Sequence, residues 1–379
     1  MLFATESHGD LIFVTVIPPD GEGKSEENIR RVYTELSDYL KTRKAELLQE
    51  RVYGTVAAAE TILRARHDVL AQNGPTPMFP ATYVEGMPFD GSEFSGIHAV
   101  AVSPPASSGT AFVLRDGIPC GSVYQGGEAD YLCLSDVGRF LPETARDCPD
   151  REAQETILLA DRILAEANWS YHNVLRTWFY LDNILGWYPA FNRVRNEMYK
   201  RLGLFNGNPK TLIPASTGIW GRNTRGNWCT LDLMAMRPQP GHVFQTRRLF
   251  NPKQNEAIEY GSAFSRGVSV TLDSGSVIFI SGTASIDERG VSLHPNDMER
   301  QTERTLLNVG ALLESAGARF EHIVQATAFV KRAEDIPVFQ KVAKRMELST
   351  IPMICTIADV CRDDLLFELD ATAILPSSK

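Results

Sequence analysis

The sequence predicts an α/β (α+β) fold built from three tandem copies of one unit, and three observations predict it. Three stretches close alike, each with a proline, a short polar turn and an apolar strand: PATYVEGMPFDGSEFSGIHAVAV from Pro80, PASTGIWGRNTRGNWCTLDLMAM from Pro214 and PMICTIADVCRDDLLFELDATAI from Pro352. These prolines lie roughly 135 residues apart, a period long enough to hold a whole α/β unit. Strand and helix patterns also recur in the same order before each closing stretch. Finally, Pro- and Gly-rich segments, SPPASSG (103–109) and RPQPGH (237–242), fall between the copies. The expected units are 1–104, 109–238 and 243–379.

Each unit opens on an apolar strand: DLIFVTVI (10–17), YLCLSDVG (131–138) and SVIFISGT (276–283). A helix follows, in ENIRRVYTELSDYL, AQETILLADRILAEA and MERQTERTLLNVGALLESAGA, with apolar residues at three- and four-residue spacing. In the third copy Leu306, Val309, Leu312 and Leu313 form one stripe, and Gly317 is the expected stop. A second strand comes next (RVYGTVA, VLRTWFYL, IVQATAFV), then a second helix (AAETILRARHDVLAQNG, YPAFNRVRNEMYKRLG, DIPVFQKVAKRMEL). Both helices of such a unit cover one face of its sheet. The other face needs a cover, and three sheets in one chain can cover one another.

The chain carries a net charge of −9 and is 22% charged and 43% hydrophobic, which suits a globular protein and argues against a general nucleic-acid partner. No apolar run reaches the length of a membrane span, and the first twenty residues lack the features of a secretory signal. The six cysteines form no CxxC pair and read as reduced thiols of a cytoplasmic protein. The seven histidines form no HxxxH or HExxH pattern, and no GxGxxG opens a helix after a strand. No metal and no cofactor is expected.

The stretches SVIFISGTASI, QTERTLLNVGALLESAGA, IVQATAFVKRAEDIPVF and FELDATAI resemble the RidA/YjgF superfamily, whose units are chorismate-mutase-like. Members are usually homotrimers with ligand clefts between subunits. Three RidA-like units in one chain therefore imply a single-chain pseudotrimer, a monomer free to associate further. Imine deaminases of the superfamily hold the substrate carboxylate with an arginine just after the proline of the closing segment. Here Pro80-Ala81-Thr82, Pro214-Ala215-Ser216 and Pro352-Met353-Ile354 carry none. In units two and three, VLRTWFYLDNI, FNRVRNEMYKR, LIPASTGIWG, FISGTASI and ADVCRDDLLFELD are similar to chorismatases, single-chain relatives that release pyruvate from chorismate by hydrolysis. That likeness implies a small-molecule carboxylate ligand.

The closing strand of unit three contains Glu368. Alternation places Glu368, Asp370 and Leu366 on one face and Phe367, Leu369 and Ala371 on the other. The apolar set faces the helices, so Glu368 is expected to line a cleft between units. Apolar neighbours raise a carboxyl pKa and suit it to acid–base work. Arg176 is a candidate carboxylate clamp, because a guanidinium matches a carboxylate with two parallel donors. Arg195 and Arg201 lie on the following helix, and Arg201 matches the chorismatase pattern better. Thr217 and Gly218, in a small-residue turn, can bring backbone N–H groups close to an anion. Ser281, Gly282 and Thr283 end a strand near the cleft, and Cys361 sits beside Arg362. The substrate-binding set is thus Arg176, Arg201, Thr217, Gly218, Ser281, Gly282, Thr283 and Cys361, with Glu368 catalytic. Asp232 is the nearest counterpart of Glu368 in unit two, and none is evident in unit one. One dominant cleft, between units two and three, is therefore expected. The leading function is a chorismatase-like hydrolase. A divergent imine or enamine deaminase and a non-catalytic metabolite-binding protein are the alternatives.

Overall fold

The computed structural model describes residues 1–4, 9–19, 21–72, 79–103, 109–206, 208 and 211–377. His8, the end of the second helical segment at 73–74 and most of the first expected linker, 104–108, lie outside the described residues.

The described residues form three sheets. The first unit contains β1 (Leu2–Ala4), β2 (Leu11–Val16), α1 (Glu26–Arg43), β3 (Glu46–Gly54), α2 (Ala59–Ala71), β4 (Thr82–Glu85), β5 (Met87–Pro88) and β6 (Phe94–Val102). The second contains β7 (Ala111–Arg115), β8 (Ile118–Gln125), β9 (Ala129–Leu134), α3 (Pro149–Glu166), β10 (Val174–Leu181), α4 (Ile184–Arg201), β11 (Ala215–Trp220) and β12 (Cys229–Pro238). The third contains β13 (Gln245–Arg248), β14 (Gly267–Leu272), β15 (Gly275–Ala284), α5 (Met298–Ser315), β16 (Ile323–Val330), α6 (Ile336–Arg345), β17 (Met353–Ile357) and β18 (Phe367–Pro376). In each sheet the closing strand sits centrally, in the orders β2-β6-β3, β9-β12-β10 and β15-β18-β16. The turn expected after each proline is instead a short strand: β4, β11 and β17 run parallel to the second strand of their units. One piece crosses over, because β5 pairs with β17 of the third sheet.

Local chemistry explains the helices. Ser25 and Asp297 cap α1 and α5 by accepting from the N–H groups of Asn28 and Arg300, and Pro149 starts α3. The stripe Leu306, Val309, Leu312 and Leu313 of α5 is buried against the third sheet, and Gly317 ends the turn at φ +78°. Each helix pair buries its own core on one sheet face. The opposite faces meet in a shared core to which all three units contribute, among them Tyr53, Trp178 and Phe279. No helix among the described residues is long and apolar enough to cross a membrane.

One irregularity repeats in all three units. The second strand slips register by one residue against its closing strand at Leu48, Leu175 and Val324. Such a bulge places two successive side chains on the same face. Leu48 and Leu175 are buried in the shared core and Val324 packs against it. The next residues, Gln49, Arg176 and Gln325, are thereby turned toward the neighbouring unit. Gln49 donates to the Leu233 carbonyl of unit two, and Gln325 to the Ala99 carbonyl of unit one. Arg176 reaches into unit three. The contacts run from each unit to the next around a closed ring.

Candidate active site

Glu368 lies on β18 and is only 4% exposed. Phe367, Leu369 and Ala371 pack against the helices of unit three, so Glu368 points to the side where unit two approaches. Leu366 departs from the expected alternation. It precedes the strand and packs with Phe367 in the helix-side core, while Leu365 enters the shared core.

The glutamate is accommodated by a second irregularity. The pairing of β15 with β18 slips between Ile280 and Thr283. A Cβ on Gly282 would lie 2.0 Å from Glu368 Oε1, so any larger residue there would displace the carboxyl from this position. The Gly282 N–H donates to Thr217 Oγ1 (3.1 Å). Thr217 Oγ1 also accepts from Arg176 Nη2 (2.7 Å) and donates to Asp370 Oδ2 (2.8 Å). Arg176 Nη2 donates to the same carboxylate oxygen at 2.8 Å. This network joins units two and three directly behind the glutamate.

The cleft in front of Glu368 is narrow, with a volume of about 20 Å³. Unit two supplies Tyr188, Arg195, Ser216 and Gly218, and unit three supplies Phe264, Arg266, Gly282, Cys361 and Glu368. It adjoins an outer cavity of about 380 Å³ that shares Tyr188, Ile286 and Cys361. Arg195 is buried; Nη2 donates to Asn192, Nη1 donates weakly to Ser216 Oγ, and Nε has no partner. Arg266 is buried too and donates to the Asn255 carbonyl. Both guanidinium groups lie about 5 Å from the Phe264 ring. Burial, with the Asp370 charge adding to it, pushes the Glu368 carboxyl up to about 8, although Arg266 and Arg176 oppose the shift. At neutral pH the site therefore offers a neutral carboxylic acid between two cations. Burial also pushes the Cys361 thiol up to about 12, so it is a protonated wall group and not a thiolate. A larger cavity of about 550 Å³, beside α1 and lined by Lys41, Lys44 and Phe112, brings no comparable buried acid and cations together.

The predicted residues separate into four groups. Glu368, Gly218, Gly282 and Cys361 line the cleft. Thr217 and Arg176 lie behind it, where the guanidinium is engaged by Asp370 and is not an open clamp. Ser281 and Thr283 spend their hydroxyls on the Ser265 and Ser281 carbonyls, and Ser281 Oγ also accepts from the Ser216 N–H. Arg201 is exposed at the C-terminal end of α4 and takes no part. Arg195, and not Arg201, is the arginine of this helix that lines the cleft. Helix α4 begins at Ile184, and Tyr188, Asn192 and Arg195 form one stripe at four- and three-residue spacing; Arg201 falls on another side. Arg266 and Phe264 were not anticipated. They come from the segment leading into β14, which belongs to an edge hairpin, β13-β14, that the second sheet matches with β7-β8.

The strand registers also correct the matching of acids between units. Asp370 lies opposite Thr327, Asp232 opposite Trp178 and His98 opposite Arg51, at equivalent steps beyond the repeated bulge. Asp232 is thus the counterpart of Asp370. The counterparts of Glu368 are Thr230 and Gly96.

Residues 255–375 match the family model "Endoribonuclease L-PSP". A 3-hydroxybenzoate synthase of Streptomyces hygroscopicus is 27% identical over 277 residues, covering 65% of this chain and 78% of the relative. A RutC family protein of Pyrococcus abyssi is 29% identical over 107 residues, covering 28% of this chain and 84% of its own. A chorismatase crystal structure superposes with a TM-score of 0.62 at 19% identity, covering 97% of this chain and 100% of that one. With its three α/β units closed around one core, the chain thus has a chorismatase-like fold, and its third unit is matched by the L-PSP family model.

Proposed function

We propose that this protein is an enzyme that cleaves pyruvate from a chorismate-like dicarboxylate, with Glu368 as the acid–base group. The observation that carries the proposal is the buried Glu368 carboxyl facing a cleft flanked by the buried Arg195 and Arg266. Two cations and a neutral acid match a ligand with two carboxylates, since each guanidinium can give a charge-assisted bond. The similarity to a 3-hydroxybenzoate synthase and the chorismatase-like fold support the same substrate class. A single chain supplies both walls of this cleft, so a pseudotrimer works as a monomer.

The chemistry follows from the protonation state. Glu368 donates its proton to the methylene carbon of the enol ether, which leaves an oxocarbenium carbon beside the ether oxygen. Water adds there, and its excess proton returns to the Glu368 carboxylate. The hemiketal C–O bond then breaks as the hemiketal hydroxyl proton passes to the leaving ring oxygen, releasing pyruvate and the ring alcohol. The field of Arg195 and Arg266 is already oriented toward the substrate carboxylates, so little reorganisation is needed.

The test is incubation of the purified protein with chorismate, with coupled detection of pyruvate and chromatography of the ring product. Pyruvate formation above an enzyme-free control is expected. No pyruvate, combined with chorismate-induced thermal stabilisation, would instead identify a binding protein.

A further inference from the structure

We infer that Asn255 and Glu256, on the loop that precedes β14, are positioning residues for Arg266: the Asn255 main chain holds its guanidinium in the cleft wall, and the Glu256 carboxylate is its buried counter-charge. The inference rests on the cleft around Glu368 being the reaction site, and neither residue lines that cleft.

The geometry behind Arg266 carries it. Arg266 is 2% exposed, and both Nε (3.0 Å) and Nη2 (2.9 Å) donate to the Asn255 carbonyl oxygen. Two donors on one acceptor fix the orientation of the planar group as well as its position. The carbonyl is in turn fixed by the rest of its residue. The Asn255 N–H donates to the Asp287 carbonyl (2.8 Å), and Nδ2 donates to Glu259 Oε2 (2.8 Å) and to the Glu288 carbonyl (3.3 Å). The far end of the same segment is tied to unit two. The Ala263 N–H donates to Asn196 Oδ1, and Ser265 Oγ donates to the Ile213 carbonyl. A strap fastened at both ends thus delivers Phe264 and Arg266 to the interface of the two units.

Glu256 follows Asn255 directly. It is 6% exposed, and among the described residues neither carboxylate oxygen has a hydrogen-bond partner. Its company is cationic: Arg248 Nη2 stands 3.4 Å from Oε2, and the Arg266 charge also acts on it. A buried carboxylate without hydrogen bonds is costly unless cations compensate it. The two residues therefore act on Arg266 with opposite electrical consequences. Loosening the grip moves a cation away from Glu368, whereas removing the counter-charge strengthens that cation. The charged and titratable groups about Glu368 are Asp370, Arg176, Arg195, Arg266, Tyr188 and Cys361. Those about Glu256 are Arg248, Arg266 and Glu259.

The test reads the Glu368 carboxyl by infrared titration of the whole protein without ligand, with the Glu368→Gln form subtracted in each background. Asn255→Ala, which removes the side-chain tethers, should raise the titration midpoint. Glu256→Gln should lower it. Each shift should be on the order of half a pH unit, or about threefold in proton affinity. With chorismate, Asn255→Ala should raise KM by roughly 10-fold while kcat changes by less than about twofold, the pattern of weakened ground-state binding. Glu256→Gln should move the alkaline decline of turnover to lower pH. A merely structural role would move both midpoints the same way or not at all, and either result in folded protein would overturn the inference. If Asn255→Ala fails to fold, Asn255→Ser, too short to reach the Glu288 carbonyl, must show the same upward shift. Opposite shifts without pyruvate release would defeat the proposed reaction and uphold the positioning, whereas unchanged midpoints in an active protein would defeat the positioning alone.

Discussion

The interface of units two and three and the interface of units one and two share one scaffold and differ in what fills it. Thr217 donates to Asp370 across the first, and Thr82 donates to Asp232 across the second, at matched register positions. Beyond that pair they part. Where the third unit has Glu368, the second has Thr230, whose hydroxyl donates to Asp136. Where the third has Gly282, the second has Asp136 itself, held at φ 47°. Where β11 has Gly218, β4 has the bulky Tyr83, bonded to the Thr55 carbonyl. At the interface of units three and one the matched residue is Gly96, and a Cβ there would strike the Val16 carbonyl oxygen at 2.5 Å. A cleft with a buried acid thus depends on three substitutions acting together: a glutamate, a glycine that makes room for it, and a glycine that opens the wall.

The comparison breaks most sharply at Glu368→Gln. The amide keeps the size and hydrogen bonding but carries no exchangeable acid proton, so turnover of chorismate should fall by roughly 10²–10⁴-fold. Steady-state kinetics on the variant checks this. Arg195→Ala should weaken substrate binding by about 10–100-fold through one lost charge-assisted contact. Arg201→Ala, on the exposed end of α4, should bind within about twofold of wild type, because exposed residues without buried partners contribute little. Titration calorimetry on the two variants contrasts a cleft arginine with a surface one.

The pH dependence sharpens the same contrast. Glu368 titrates near 8 when folded, against an ordinary value of 4.5. The folded state therefore holds a proton that the unfolded chain releases. Its contribution to stability is present in full below about 4.5 and is lost as pH rises through about 8. Thermal melts across that window should fall less steeply for Glu368→Gln than for wild type. If Glu368 is the acid, turnover should also decline above about 8. The smallest effect is expected from Thr230→Glu. An acid placed at the matched position of unit two should not create a second active cleft, because Asp136 and Tyr83 occupy the space. Pyruvate release by Thr230→Glu combined with Glu368→Gln would show that the acid alone suffices.

The fold was legible because its signals are local and repeated. VLRTWFYL and IVQATAFV span β10 and β16 residue for residue, and the stripe of α5 faces its sheet as read. Glu368 was legible as an inter-unit carboxylate because period-two alternation survives along β18. The bulges were not, since a one-residue slip leaves composition and period almost unchanged. That slip moves Arg176 to the axis, where Asp370 engages it. Arg195 and Arg201 could not be ranked from spacing alone, because the choice depends on where α4 begins and which side it buries. Arg266 escaped because the repeated pattern read in the sequence starts at the opening strand of each unit, and the hairpin that delivers Arg266 precedes that strand.

The most direct measurement is a crystal structure of Glu368→Gln with chorismate, in which slow turnover preserves the ligand. One molecule per chain is expected, in the cleft between units two and three, with its carboxylates on Arg195 and Arg266 and its enol ether facing residue 368. Ligand at all three interfaces with equal occupancy, or none beside residue 368, would contradict the account.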